Sequence, residues 1–118
     1  MSFSNQTYKQ IAKHAIAAAN TEESLYVVPA LSAVVGQLIA ANTSTSSNRS
    51  FRVAVVSGGG SAGAADFLAY DVTITPGETW VLGGLTLNAA DEVRVQSNAT
   101  STTAGTGIIF QIYGELQN

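Results

Sequence analysis

From Ser50 to Val56 the chain alternates without a slip, with Phe51, Val53 and Val55 on one side and Arg52, Ala54 and Val56 on the other. A period of two is the signature of an extended strand, because successive side chains point to opposite faces. The same alternation returns at Ile108, Phe110 and Ile112 against Ile109, Gln111 and Tyr113. Between and before them lie short β-rich runs: Leu25–Val28 ahead of Pro29, Phe67–Ile74 ahead of Thr75-Pro-Gly-Glu78, and Val93–Ser97. Leu31–Ala41 reads as a strand covered on both faces or a short helix. Its Val34-Val35 pair favours strand, with Gly36 marking a bulge or a close packing contact. Thr79–Leu82 and Leu85–Leu87, joined by Gly83-Gly84, make one bent strand or two short ones, and Asn88–Asp91 is a turn. Strands recurring about every ten residues, separated by turn residues, predict an all-β fold. The expectation is a single antiparallel β-sandwich or jelly-roll-like domain of seven or eight strands. Its core should include Leu25, Val27, Val35, Phe51, Val53, Val55, Leu68, Leu87, Val93, Val95, Phe110 and Ile112.

The N-terminal stretch breaks this rhythm. Tyr8, Ile11, Ala12, Ala15, Ile16 and Ala19 recur at helical spacing, yet a lone helix of about 12 residues is marginal in water. Residues 1–19 are therefore expected to be an arm whose conformation depends on what it docks against, with the sandwich domain occupying 20–118. Ser57–Ala65 should be a flexible loop, and Asn42–Asn48 and Asn98–Thr106 polar solvent loops.

Composition narrows the classes of function. Charged residues are 11% of the 118, and the net charge is −3, so the surface must be dressed mainly by the 12 Ser, 12 Thr and 7 Asn. Five basic residues cannot neutralise many phosphates, which argues against a nucleic-acid partner. The longest apolar run, Leu31–Ala41, is well short of the ~20 residues of a helical membrane span. No cationic flank followed by an apolar stretch opens the chain, so no signal peptide is expected. Without cysteine there is neither disulfide nor thiolate metal site.

The motifs that suggest chemistry each fail a physical requirement. Gly58-Gly-Gly60-Ser-Ala-Gly63 follows a strand in the G-x-G-x-x-G pattern. Dinucleotide binding also needs a helix whose amides meet the pyrophosphate, and the β-branched Val72, Thr73 and Ile74 come too soon for one. His14, the single histidine, lies in the arm and reads as a surface or interface residue. Asp66, Asp71, Asp91 and Glu92 do not form a calcium loop, and Asp91 reads as a turn residue. The four N-x-[ST] sequons at Asn5, Asn42, Asn48 and Asn98 are expected by chance in so Ser/Thr-rich a chain. No catalytic residue, metal or cofactor is expected.

Six segments occur in an order that carries a resemblance: Leu25-Tyr-Val-Val-Pro-Ala30, Phe51-Arg-Val-Ala-Val55, Leu68-Ala-Tyr-Asp71, Ile74-Thr-Pro-Gly-Glu-Thr79, Gly84-Leu-Thr-Leu-Asn88 and Asp91-Glu-Val-Arg-Val95. Together they resemble the small virion structural proteins of tailed bacteriophages, over about residues 8–115. The Asn98–Thr106 loop and the alanine-rich Tyr8–Ala19 stretch depart from that pattern. The resemblance implies a non-enzymatic β-sandwich, made in the host cytoplasm and assembled on the outer capsid surface or the tail of a virion. The leading expectation is a capsid decoration (cement) protein, a homo-oligomer such as a trimer, with the major capsid protein as partner and no nucleic acid or membrane. The alternatives are a tail, baseplate or fibre component, or a carbohydrate-binding module. The interface is expected at Phe3, Tyr8, Ile11 and Ile16 of the arm and near Tyr26 and Trp80.

Overall fold

A computed structural model describes residues 8–58 and 61–117. Eight strands run in chain order: β1 (Lys9–Ala15), β2 (Glu23–Val27), β3 (Ala33–Asn42), β4 (Arg49–Ser57), β5 (Phe67–Ile74), β6 (Thr79–Leu87), β7 (Asp91–Ser97) and β8 (Ile108–Gln117). They form two four-stranded antiparallel sheets, ordered β1-β8-β3-β6 and β2-β7-β4-β5. Only β4 and β5 are neighbours both in sequence and in a sheet; every other connection carries the chain across to the opposite sheet. The inner faces meet in one core, where Phe51 of one sheet packs edge-on against Trp80 and Phe110 of the other, at 5.1 and 5.8 Å between ring centroids. Val34, Leu38, Val53, Leu87, Val93, Val95 and Ile112 close around these rings.

The all-β sandwich is as expected, but the boundary at residue 20 is not. Residues 9–15 are an integral strand, β1, paired to β8 along its length. The pairing slips between Gln10 and Ala12, so Ile11 is a bulged residue and both Ile11 and Ala12 pack against the core. A bulge puts two neighbouring residues on the buried side. That makes an extended segment imitate the three-and-four spacing of a helix.

The core list needs four corrections. Val27 and Val35 are exposed, Leu68 is exposed, and Val55 is only half-buried. In β3 the buried series is Val34, Leu38, Ala40 and Asn42, one residue out of step with Val35, and a one-residue slip exchanges the two faces. In β2 a register shift between Ser24 and Tyr26 places Leu25 and Val28 inside and turns Val27 outward. In β5 it is Ala69 and Ile74 that are buried.

Gly36 has both properties anticipated for it. The β3–β6 register shifts between Gly36 and Leu38, and Gly36 lies opposite Gly114 of β8. A Cβ on Gly36 would lie 2.1 Å from the Tyr113 carbonyl oxygen, and one on Gly114 2.4 Å from that of Val35. Strand β6 is continuous, with Gly83 and Gly84 inside the irregularity opposite Gly36–Leu38. Gly84 has φ of 69°, a conformation glycine adopts without a steric penalty. The bulge lets Trp80 and Leu82 before it, and Leu85 and Leu87 after it, all turn towards the core.

Two polar loops are exposed over most of their length, as expected, and each is anchored by a buried polar side chain. The buried Asn42 side chain donates to the carbonyls of Ser47 and Ile74 and accepts from the Ser44 amide. Ser101 does the same for the Asn98–Thr106 loop: its hydroxyl accepts from the Ile16 amide and donates to the Ile108 carbonyl. The glycine-rich loop is likewise tied down, because the Ala62 amide donates to Glu22. The Ala64–Asp66 turn lies against β4, where Ala54 and Val56 are buried although they lie outside the main core.

Candidate functional site

The ends of the two sheets lie over one another, β1 against β2 at one side of the sandwich and β5 against β6 at the other. The β1–β2 side is sealed by polar contacts. His14 Nε2 lies 2.7 Å from Glu23 Oε1 across the two strands, and the Ala17 and Ala18 amides donate to the same carboxylate. Burial alone would raise the Glu23 pKa, but the two amides and His14 outweigh it and hold the carboxyl below its ordinary value. Beside it Arg94 bonds both Glu22 and Glu92, Nη1 to Glu92 Oε2 at 3.1 Å. Burial lowers the Arg94 pKa, while its two carboxylate partners raise it by more.

The β5–β6 side has no such closure. A mainly apolar groove of about 360 Å³ runs between the strands, lined by Val55, Leu68, Leu82, Gly83, Gly84, Leu85 and Thr86. Leu68 is 46% exposed, and Val81 on β6 is 53% exposed. Each strand pairs on one side only, so its other side presents backbone groups without a ladder partner. At the β2–β3 turn Leu31 stands 92% exposed with φ of 65°, a left-handed conformation uncommon for a leucine.

The expected interface residues are scattered by the fold. Phe3 lies outside the described residues. Tyr8 is exposed, just before β1. Ile11 is half-buried against the core, and Ile16 is wholly buried, which removes it from any surface. Ile16 is held there by the two hydrogen bonds of Ser101, one to its amide and one to its carbonyl. Tyr26 is half-buried against the core, and burial raises the pKa of its hydroxyl. Trp80 turns its ring inward onto Phe51. The open edge instead exposes Leu68 in the groove and Val81 on the outer face of β6, which strand parity alone could not single out. The Gly83-Gly84 pair was the available signal, since a double glycine in a strand marks a bulge and, on an end strand, a local break in regularity.

A second feature lies on the outer face of the β2-β7-β4-β5 sheet. The β4–β5 pairing passes from Phe51–Val72 to Val53–Ala69, so Tyr70 and Asp71 together oppose Arg52. Asp71 has φ of 51° within this bulge. Arg52 grips it through two bonds, Nε to Oδ1 at 2.7 Å and Nη2 to Oδ2 at 3.1 Å, and lies 3.9 Å over the Tyr70 ring. The hydrogen bond raises the Arg52 pKa and lowers that of Asp71. The pair borders a polar concavity of about 410 Å³ reaching Asn20, Thr73, Gln96 and Asn98.

The other tempting motifs do not assemble. The glycine run is followed by a single 3-10 turn, Ala64–Asp66, instead of the α-helix that a pyrophosphate site needs. Asp66 closes that turn by accepting from the Gly63 amide, and Asp91 likewise accepts from the Asn88 amide. Among the described residues no group of three His, Asp or Glu is placed to hold a metal ion, and no helix is long and apolar enough to cross a membrane.

No family model matches this chain, and neither a curated protein nor a solved structure matches it.

Proposed function

We propose that this protein is a non-enzymatic structural component of a tailed-bacteriophage virion, a capsid decoration protein that binds the major capsid protein and bridges neighbouring capsomers. The observation that carries the reading is the open β5–β6 edge, where Leu68 stands exposed in an apolar groove and Val81 is exposed on the outer face of β6. An apolar patch on so small a domain is a place for contact with other protein. The 11% charge content fits the same role, since few Lys or Glu side chains would have to be stripped of water at an interface. The two four-stranded antiparallel sheets, β1-β8-β3-β6 over β2-β7-β4-β5, support reading the sandwich as jelly-roll-like, in keeping with the six phage-like segments. In this reading the protein acts as a homo-oligomer, such as a trimer, on the outer surface of the head. It works by adding buried area at junctions strained by the packaged DNA.

The test is to add purified protein to virions of the parent phage that lack it, and to count bound copies. Hundreds of copies per particle, lost when Leu68→Lys and Val81→Lys are combined, are expected. A few to tens of copies would move the protein to the tail or baseplate. No binding to any part of the particle would overturn the reading.

A further inference from the structure

We infer that the concavity on the outer face of the β2-β7-β4-β5 sheet is a binding site for a neutral saccharide. The inference is independent of the assembly role proposed above. The first argument is chemical inventory. The side chains of Asn20, Thr73 and Gln96 border the cavity and make no hydrogen bond within the described residues, and the amide nitrogen of Asn98 is also unused. These are mixed donors and acceptors without charge, the complement of a ring of hydroxyl groups.

The second argument is charge. The cavity has two ionised groups, Arg52 and Asp71, and they neutralise each other through a two-bond pair. A phosphate or carboxylate would meet Asp71, and an amine would meet Arg52. A neutral polyol meets neither penalty and can still use the guanidinium hydrogens and carboxylate lone pairs that the pair leaves free.

The third argument is construction. The frame of the cavity is fixed by hydrogen bonds among its own lining residues. The Ser97 hydroxyl donates to the Ser50 carbonyl, the Ser50 amide donates to the Asn98 side chain, and the Asn20 amide donates to the Ser97 carbonyl. The bulge brings Asp71 and Tyr70 together at the Arg52 side, and bulges commonly re-aim side chains at binding sites. Tyr70 lies outside the lining and carries the Arg52 guanidinium 3.9 Å over its ring, which holds Arg52 in place at the cavity wall. The volume, about 410 Å³, lies within the range of small-molecule sites, about 300–1,000 Å³.

The experiment is a backbone amide NMR titration of the full chain with lactose, maltose, cellobiose and chitobiose at millimolar concentrations, with inorganic phosphate as the anionic comparison. At least one disaccharide should shift the amides of Asn20, Thr73, Gln96 and Asn98 in a saturable way, while phosphate leaves them in place. Gln96→Ala and Thr73→Ala, both outside the core and checked for an unchanged spectrum, should each weaken that binding about tenfold, the worth of one good hydrogen bond. The inference is overturned if none of the four sugars perturbs these amides, if phosphate shifts them equally, or if both variants bind as the parent does. Shifts gathered at Leu68 and Val81 instead would also overturn it.

Discussion

The two edges of the sandwich are finished in opposite ways. Where β1 meets β2, polar groups close the seam, His14 to Glu23 and Glu23 to two backbone amides, and beside it on β7 Arg94 bonds Glu22 and Glu92. Where β5 meets β6, the seam is an apolar groove with exposed Leu68 and a double-glycine bulge. Four of the thirteen charged side chains in the chain, Glu22, Glu23, Glu92 and Arg94, lie at or beside the first edge. In a protein with so few charges, that concentration separates a boundary that is complete within one chain from one suited to contact another.

The severest way to break the comparison is to delete residues 1–19. This removes β1 and Ile16 and strips β8 of one neighbour, so the sealed edge becomes an exposed one. Such a loss should exceed what a domain with about 5–15 kcal/mol of stability can tolerate. Circular dichroism should show the cooperative transition gone and light scattering should show aggregates. A truncated protein that melts as sharply as the full chain would mean that β1 is an accessory after all.

Phe51→Ala, at the junction of both sheets, should cost about 3–5 kcal/mol in urea unfolding. It should weaken both edges together; a loss under about 1 kcal/mol would contradict the packing of Phe51 between Trp80 and Phe110. Gly36→Ala tests the middle of the other sheet, where the added methyl would collide with the Tyr113 carbonyl. A cost of about 1–3 kcal/mol is expected, with the Gly114 amide losing its protection from hydrogen exchange.

Glu23→Gln sharpens the sealed edge alone, and should cost about 1 kcal/mol at neutral pH. The Glu23 carboxyl is depressed in the folded protein below its usual 4.5. Its contribution is therefore fully present above the unfolded value and lost as pH falls through the folded one. The parent and variant should differ at pH 7 and converge in acid below pH 4.5. A gap that stayed constant down to the acid limit would show that the ionised carboxylate is not the source. The smallest effect belongs to the open edge: Leu68→Lys should change stability by less than about 0.5 kcal/mol, because the side chain is 46% exposed and lies outside the core cluster. A large loss there would make the groove part of the core.

How far the sequence could be read differs along the chain for identifiable reasons. Phe51, Val53, Phe110 and Ile112 were legible because β4 and β8 are inner strands, β8 keeping a period of two from Ile108 to Gly114 and β4 keeping it through Phe51 and Val53. Val27 and Val35 were misjudged because a β2 bulge and a one-residue choice of face in β3 leave no trace in local composition. Ile16 looked like a surface anchor until Ser101, 85 residues away, was seen to hold its backbone inside. The candidate sites were the least legible. Arg52 and Asp71 are 19 residues apart and read as isolated charges, and only the β4–β5 pairing brings them into one ion pair.

Alternation, turn residues and a scarcity of charge by themselves determined that this chain would form many short strands in a low-charge sandwich. Those properties act between residues a few positions apart, through strand pleat and turn geometry. Which edge is sealed, which is left open, and where a polar cavity forms were decided only by tertiary structure. Each depends on a register between strands distant in sequence, and a bulge of one residue changes which side chains meet there.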